Sequence, residues 1–75
     1  MLEEIVDLFA ECLEKEPSEI KAEDEFREYE EWDSLTYLSV IAEIDNKYGF
    51  VVPLEDFRAC RTIQAIADYV KSKTG

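Results

Sequence analysis

The feature that most constrains this chain is the helical spacing of its apolar residues. From Leu2 to Lys15, the residues Leu2, Ile5, Val6, Phe9, Cys12 and Leu13 recur at intervals of three and four, with Glu3, Glu4, Asp7, Glu11 and Glu14 on the other side. This is an amphipathic helix, and its early acids suit the positive end of the helix dipole. Pro17 and Ser18 end it and open a connection running to Trp32. A connection of that length is functional or carries structure of its own, and Phe26 is expected to pin it to the core.

Asp33 supplies an N-cap carboxylate for a second helix, with Ser34 as its first residue. Tyr37, Val40, Ile41, Ile44 and Tyr48 form one stripe suited to the core, where Phe9 and Ile66 are also placed. Leu35, Leu38 and Ala42 form a neighbouring stripe, so the helix is apolar over more of its circumference than a core requires. Gly49 is a natural stop, since glycine takes the left-handed conformation without steric cost. Phe50 to Val52 runs extended into Pro53 and has no other strand to pair with. A short helical turn is expected around Leu54 to Phe57. Thr62 caps a last helix with Ile63, Ile66, Ala67 and Val70 on one face and Lys71 and Lys73 near its negative end. The expected fold is all-α, a bundle of three main helices plus one short helix, with residues 1–75 as a single domain. A chain of 75 residues buries roughly 60% of the surface its unfolded form exposes, enough for a thin core and no deep cleft.

Several function classes fall away. There is no histidine, which removes the usual general base, the Ser-His and Cys-His pairs and the commonest zinc ligand. Only Gly49 and Gly75 are glycines, so no phosphate-binding loop exists. Asp45 to Gly49 fails as a calcium loop, because Lys47 takes the third ligand position and Asp56 stands where a bidentate Glu belongs; no metal site is expected. Cys12 and Cys60 match neither a disulfide framework nor a CxxC pattern. Cys12 reads as a small buried hydrophobe; Cys60 reads as more exposed, with an open role. No run approaches the ~20 apolar residues of a membrane span, and the acidic N-terminus is unlike a secretion signal, so a cytoplasmic protein is expected.

The net charge of −11 argues against nucleic acid. Its placement says more: residues 1 to 33 hold fourteen acids and three bases, while residues 34 to 75 hold five of each. The densest stretch, Glu23 to Asp33, also carries Phe26, Tyr29 and Trp32, which a purely solvating tail would lack.

The stretch Glu31-Trp32-Asp33-Ser34-Leu35, the helix to Tyr48, Val52-Pro53 and the run from Thr62 to Val70 together resemble acyl carrier proteins over nearly the whole chain. The resemblance implies that Ser34 is esterified by 4'-phosphopantetheine, whose thiol holds acyl groups as thioesters, with Asp33 as capping and recognition residue and Leu35 as an enzyme contact. It implies a non-enzyme that presents intermediates of fatty-acid, polyketide or related biosynthesis. The implied partners are a phosphopantetheinyl transferase and acyl-loading, acyl-transfer or condensing enzymes with basic docking surfaces. Residue chemistry is compatible: a hydroxyl at a helix N-terminus lies beside unpaired N–H groups that favour a phosphodiester. Leu38 and Ala42 would extend the docking face. Thr36, Ser39 and Lys47 stand where acids are frequent in the family, so partner recognition is expected to shift to Trp32, Glu28, Glu30 and Glu31. The chain lacks the Gly-Gly-Asp-Ser motif of peptidyl carriers, which favours an acyl over an aminoacyl cargo. Beginning at Met1 and ending at Gly75 without linker composition, it is expected to be freestanding and monomeric. The other readings are an aminoacyl or peptidyl carrier, an acidic helical interaction module in which Asp33-Ser34 merely caps a helix, and a cation-binding acidic domain.

Overall fold

A computed structural model describes residues 1–74; the expected domain end at Gly75 lies outside the described residues. Four helices follow one another: α1 (Leu2–Leu13), α2 (Ser34–Tyr48), the short α3 (Leu54–Ala59) and α4 (Ile63–Thr74), with no strand among the described residues. The all-α expectation of three main helices and one short one holds.

α1 stops two residues before Lys15. Glu14 enters the left-handed region at φ 57°, and the N–H groups of Glu14 and Lys15 return to the carbonyls of Glu11 and Ala10 at 3.3 and 2.9 Å, closing the helix end. The long connection carries two 3-10 turns, Pro17–Glu19 and Phe26–Glu28. Phe26 is fully buried, and its ring lies 5.1 Å from Phe9, 4.9 Å from Trp32 and 5.5 Å from Phe57. The connection is therefore pinned as expected, by an aromatic cluster that joins it to α1 and α3. It is also tied to α4, since the Ile63 and Gln64 N–H groups donate to the Asp24 and Ala22 carbonyls.

The core contains Ile5, Phe9, Val40, Ile44, Ile63, Ile66, Ala67 and Val70, as the periodicity indicates. It also contains Leu8 and Ala10, which the stripe on α1 omitted. Tyr48, expected inside, is half-buried because its hydroxyl reaches Glu4 of α1 at 2.9 Å. Cys60, expected to be exposed, is buried at 7% exposure, while Cys12 is only half-buried. Gly49 ends α2 at φ 79° with its N–H on the Asp45 carbonyl at 2.8 Å, and Thr62 Oγ1 caps α4 by accepting from the Ala65 N–H at 3.1 Å. No described helix is long and apolar enough to cross a membrane.

Candidate functional site

α2 begins where the acidic connection ends, and its start is fixed by one carboxylate. Asp33 has extended backbone, and its Oδ1 accepts from the Thr36 N–H at 2.8 Å and from the Thr36 hydroxyl at 2.9 Å. The backbone N–H of Thr36, followed by its hydroxyl, holds the Asp33 carboxyl below its ordinary value. Thr36 is itself buried, and its hydroxyl also lies 3.2 Å from the Glu31 carbonyl, binding the connection to the first turn of α2. Ser34 is left exposed at the first helical position, and among the described residues its hydroxyl has no hydrogen-bond partner. A rigid, solvent-facing hydroxyl at the positive end of a fifteen-residue helix is placed to carry an anionic ester.

Beside Ser34 opens a cleft of about 330 Å3, walled by Trp32, Tyr37, Leu54 and Phe57 with Arg27 and Arg58 at its edges. Arg27 is committed: its guanidinium donates to the Cys60 and Phe57 carbonyls at 2.8 and 2.7 Å and lies 4.8 and 5.2 Å from the centres of the Phe26 and Phe57 rings. It fastens the acidic connection to the end of α3. Neither the anchoring role of Arg27 nor the bonding of Thr36 to Asp33 and Glu31 was read from the sequence. The available signal for Arg27 was that it is the one base within Glu23 to Asp33.

The second apolar stripe of α2 faces solvent. Leu35 is 74% exposed and Leu38 58%, and Ala42 follows one turn on, also exposed. These residues are not core packing. Glu28 and Glu30 are exposed, and Glu31 is exposed but meets Lys15 Nζ at 3.4 Å. Trp32, expected to face partners, has its ring packed inward in part. It is half-buried, its ring stacked at 6.2 Å on Phe9 and 6.1 Å on Phe57, because an aromatic ring next to three others gains more from packing than from water. Only its contribution to the cleft wall joins it to Ser34. No three Asp, Glu or Cys side chains come together as a metal-ligand set among the described residues.

Comparison with known proteins falls on the same residues. The family model for the phosphopantetheine attachment site matches residues 3–70. The chain is 34% identical over 73 residues to the meromycolate extension acyl carrier protein of Mycobacterium leprae, covering 92% of this chain and 64% of that protein, so it spans less than two thirds of that relative. It is 33% identical over 70 residues to the acyl carrier protein of Rubrobacter xylanophilus, covering 93% of this chain and 86% of that protein. With the acyl carrier protein of Rhodococcus erythropolis the identity is 32% over 73 residues, covering 92% and 80%. The matched domain is the one to which 4'-phosphopantetheine is covalently attached, and its members are carriers rather than catalysts. A capped, exposed serine opening α2 of a four-helix chain, within a match to nearly all of its length, makes this chain a member of the acyl carrier protein family.

Proposed function

We propose that Ser34 is the residue that carries phosphopantetheine, and that the chain shuttles acyl groups as thioesters on that arm between biosynthetic enzymes without catalysing their reactions. The observation that carries this reading is the placement of Ser34: exposed, first in α2, its neighbour Asp33 spent on the cap, and its own hydroxyl unpartnered among the described residues. The helix N-terminus stabilises the phosphodiester, and the protein supplies a rigid point from which the arm swings. Chemistry then belongs to the partners: a phosphopantetheinyl transferase, and loading and condensing enzymes that approach over Leu35, Leu38 and Ala42. The exposed Glu28 and Glu30, with Glu31, lie on the connection leading into Ser34 and would steer basic enzyme surfaces, an attraction that weakens with salt. A cytoplasmic monomer of one domain belongs to the same proposal.

The test is mass spectrometry after incubation with a phosphopantetheinyl transferase and coenzyme A. A gain of one phosphopantetheinyl group, absent in Ser34→Ala, is expected. No gain, or a gain that persists in Ser34→Ala, overturns the assignment and favours an acidic interaction module.

A further inference from the structure

The largest groove among those described is not the one beside Ser34. It lies on the first two turns of α1, where Leu2 and Val6 meet Pro17, Ile20 and Ala22 across a space of about 450 Å3, a volume within the range of ligand sites. Its floor is apolar: Ile20 is buried, and Leu2, Val6 and Ala22 are half-buried. Its rim is acidic. Glu3 and Asp7 line it, are exposed, and have no ion-pair partner among the described residues. Glu16 and Glu19 flank the Pro17 turn, and of the two bases near it in sequence Lys15 is paired with Glu31 at 3.4 Å while the charge of Lys21 acts on Asp24. Glu4 points elsewhere, taken by the Tyr48 hydroxyl at 2.9 Å.

That last contact also locates the groove. It brings the C-terminal end of α2 to the N-terminal end of α1, so Ser34 stands at the other end of a fifteen-residue helix, about 20 Å away along its axis at ~1.5 Å per residue. A partner seated in the groove leaves Ser34, its cleft and the Leu35–Leu38 face uncovered.

We infer that this groove is a second docking site, and that its occupant is a basic amphipathic segment of a partner protein that sets apolar side chains on the Leu2, Val6 and Ile20 floor and Lys or Arg against Glu3 and Asp7. Charge chooses the occupant. The rim belongs to residues 1–33, which hold the whole net charge of −11, so an apolar segment flanked by cations is attracted and acidic ones are repelled. A second copy of this chain does not fit, since its first half is equally acidic and its second half is neutral overall. Such a site separates retention from delivery: a partner holds the chain at one end while other proteins use the opposite end.

The test is a titration of the 15N-labelled full chain, at about 150 mM salt to suppress long-range attraction, with a synthetic amphipathic helix built only from Lys and Leu. Amide shifts are expected at Leu2, Val6, Ile20 and Ala22. The double reversal Glu3→Lys/Asp7→Lys is expected to raise Kd at least about tenfold, a change of about 1.4 kcal/mol. The reversal Glu11→Lys/Glu55→Lys, identical in net charge and at exposed acids outside the groove, should change it less than about threefold, or roughly 0.7 kcal/mol. Val6→Ser, which alters no charge, should also weaken binding, and it replaces the double reversal if that variant fails to fold by circular dichroism. Equal weakening by both reversals would mean attraction to net charge alone. That result, shifts confined to Phe26–Asp33 or to the Leu35–Leu38 face, or an absence of binding would each overturn the proposal.

Discussion

Replacing Phe26 by leucine tests whether the acidic connection is part of the core or merely rests on it. Phe26 has no exposed surface and makes three ring contacts, at 5.1, 4.9 and 5.5 Å, with Arg27 stacked over its own face at 4.8 Å. Each aromatic pair contributes ~0.5–1.5 kcal/mol beyond burial, and leucine fills most but not all of the space, so a loss of about 2 kcal/mol is expected. At ~0.05–0.15 kcal/mol per residue the chain's whole stability is roughly 4–11 kcal/mol. Phe26→Ala, at about 3–5 kcal/mol, would risk unfolding it. The leucine variant should stay folded with its Tm lowered by roughly 8–16 °C, at ~4–8 °C per kcal/mol for a domain this small. Two probes separate the elements: far-UV circular dichroism reports the helices, and fluorescence of Trp32, the sole tryptophan, reports the connection. If the aromatic cluster unites them, both transitions fall together. A Tm change below about 2 °C, or a fluorescence transition that moves while the helical one does not, refutes the reasoning.

Other perturbations have equally definite outcomes. Arg27→Ala leaves the Cys60 carbonyl without its donor and the Phe57 carbonyl with the Cys60 N–H alone, and should lower Tm more than Arg58→Ala, measured in the same melt. At alkaline pH, the Tyr48 phenol is pushed up to about 12 by burial and by its bond to Glu4, and Tyr69 to about 12 by its bond to Asp56 and burial. A raised folded value means that the stability they contribute is complete below pH 10 and is lost as pH climbs toward 12. Tyr48→Phe should therefore flatten urea-derived stability between pH 10 and 12, and an unchanged slope would count against the Glu4 bond. At acid pH the sign is reversed. Asp24, lowered chiefly by the Tyr29 hydroxyl, and Asp33, lowered by the Thr36 N–H, stabilise above the ordinary carboxylate value and cease to as pH falls through their folded values. Tyr29→Phe should shrink the acid loss and also lessen the alkaline loss above pH 10, because burial and the same Asp24 bond raise the Tyr29 phenol. Cys12, raised to about 11 by burial and by Glu43 and Glu11, and Cys60, raised chiefly by burial, should both react slowly with a maleimide at pH 7 unless the chain is unfolded.

Sequence carried the local geometry well and the long-range geometry poorly. Asp33, Gly49 and Thr62 were readable because a cap or a stop depends on a residue and its near neighbours. Phe26 was readable because one large apolar residue in an acidic run has little other use. The roles of Arg27 and Thr36 were not, since they depend on carbonyls presented by other segments: Phe57 and Cys60 for Arg27, Glu31 for Thr36. The packing of Trp32 was hidden for the same reason. Its adjacency to Ser34 in sequence suggested a shared surface, whereas its ring is claimed by Phe9 and Phe57, more than twenty residues away on either side. At the site, the exposure of Leu35 and Leu38 resolved what periodicity left open between core and surface, because an over-apolar helix does not say which of its two stripes is covered.

The state of the two cysteines has a consequence for any thioester this chain bears. Exchange of an acyl group between thiols is nearly neutral in energy, so a reactive cysteine on the carrier could capture cargo meant for another enzyme. A rise from 9.0 to about 11 leaves Cys12 with about a hundredfold less thiolate at neutral pH, and Cys60 is held under the chain's own surface with its Sγ turned toward the Ala65 carbonyl at 3.7 Å. Neither competes as an acyl acceptor. Under the proposed function the protein would be chemoselective by default: the sulfur free to exchange would be the one at the end of the arm, and cargo would leave by a partner's choice rather than by migration within the carrier.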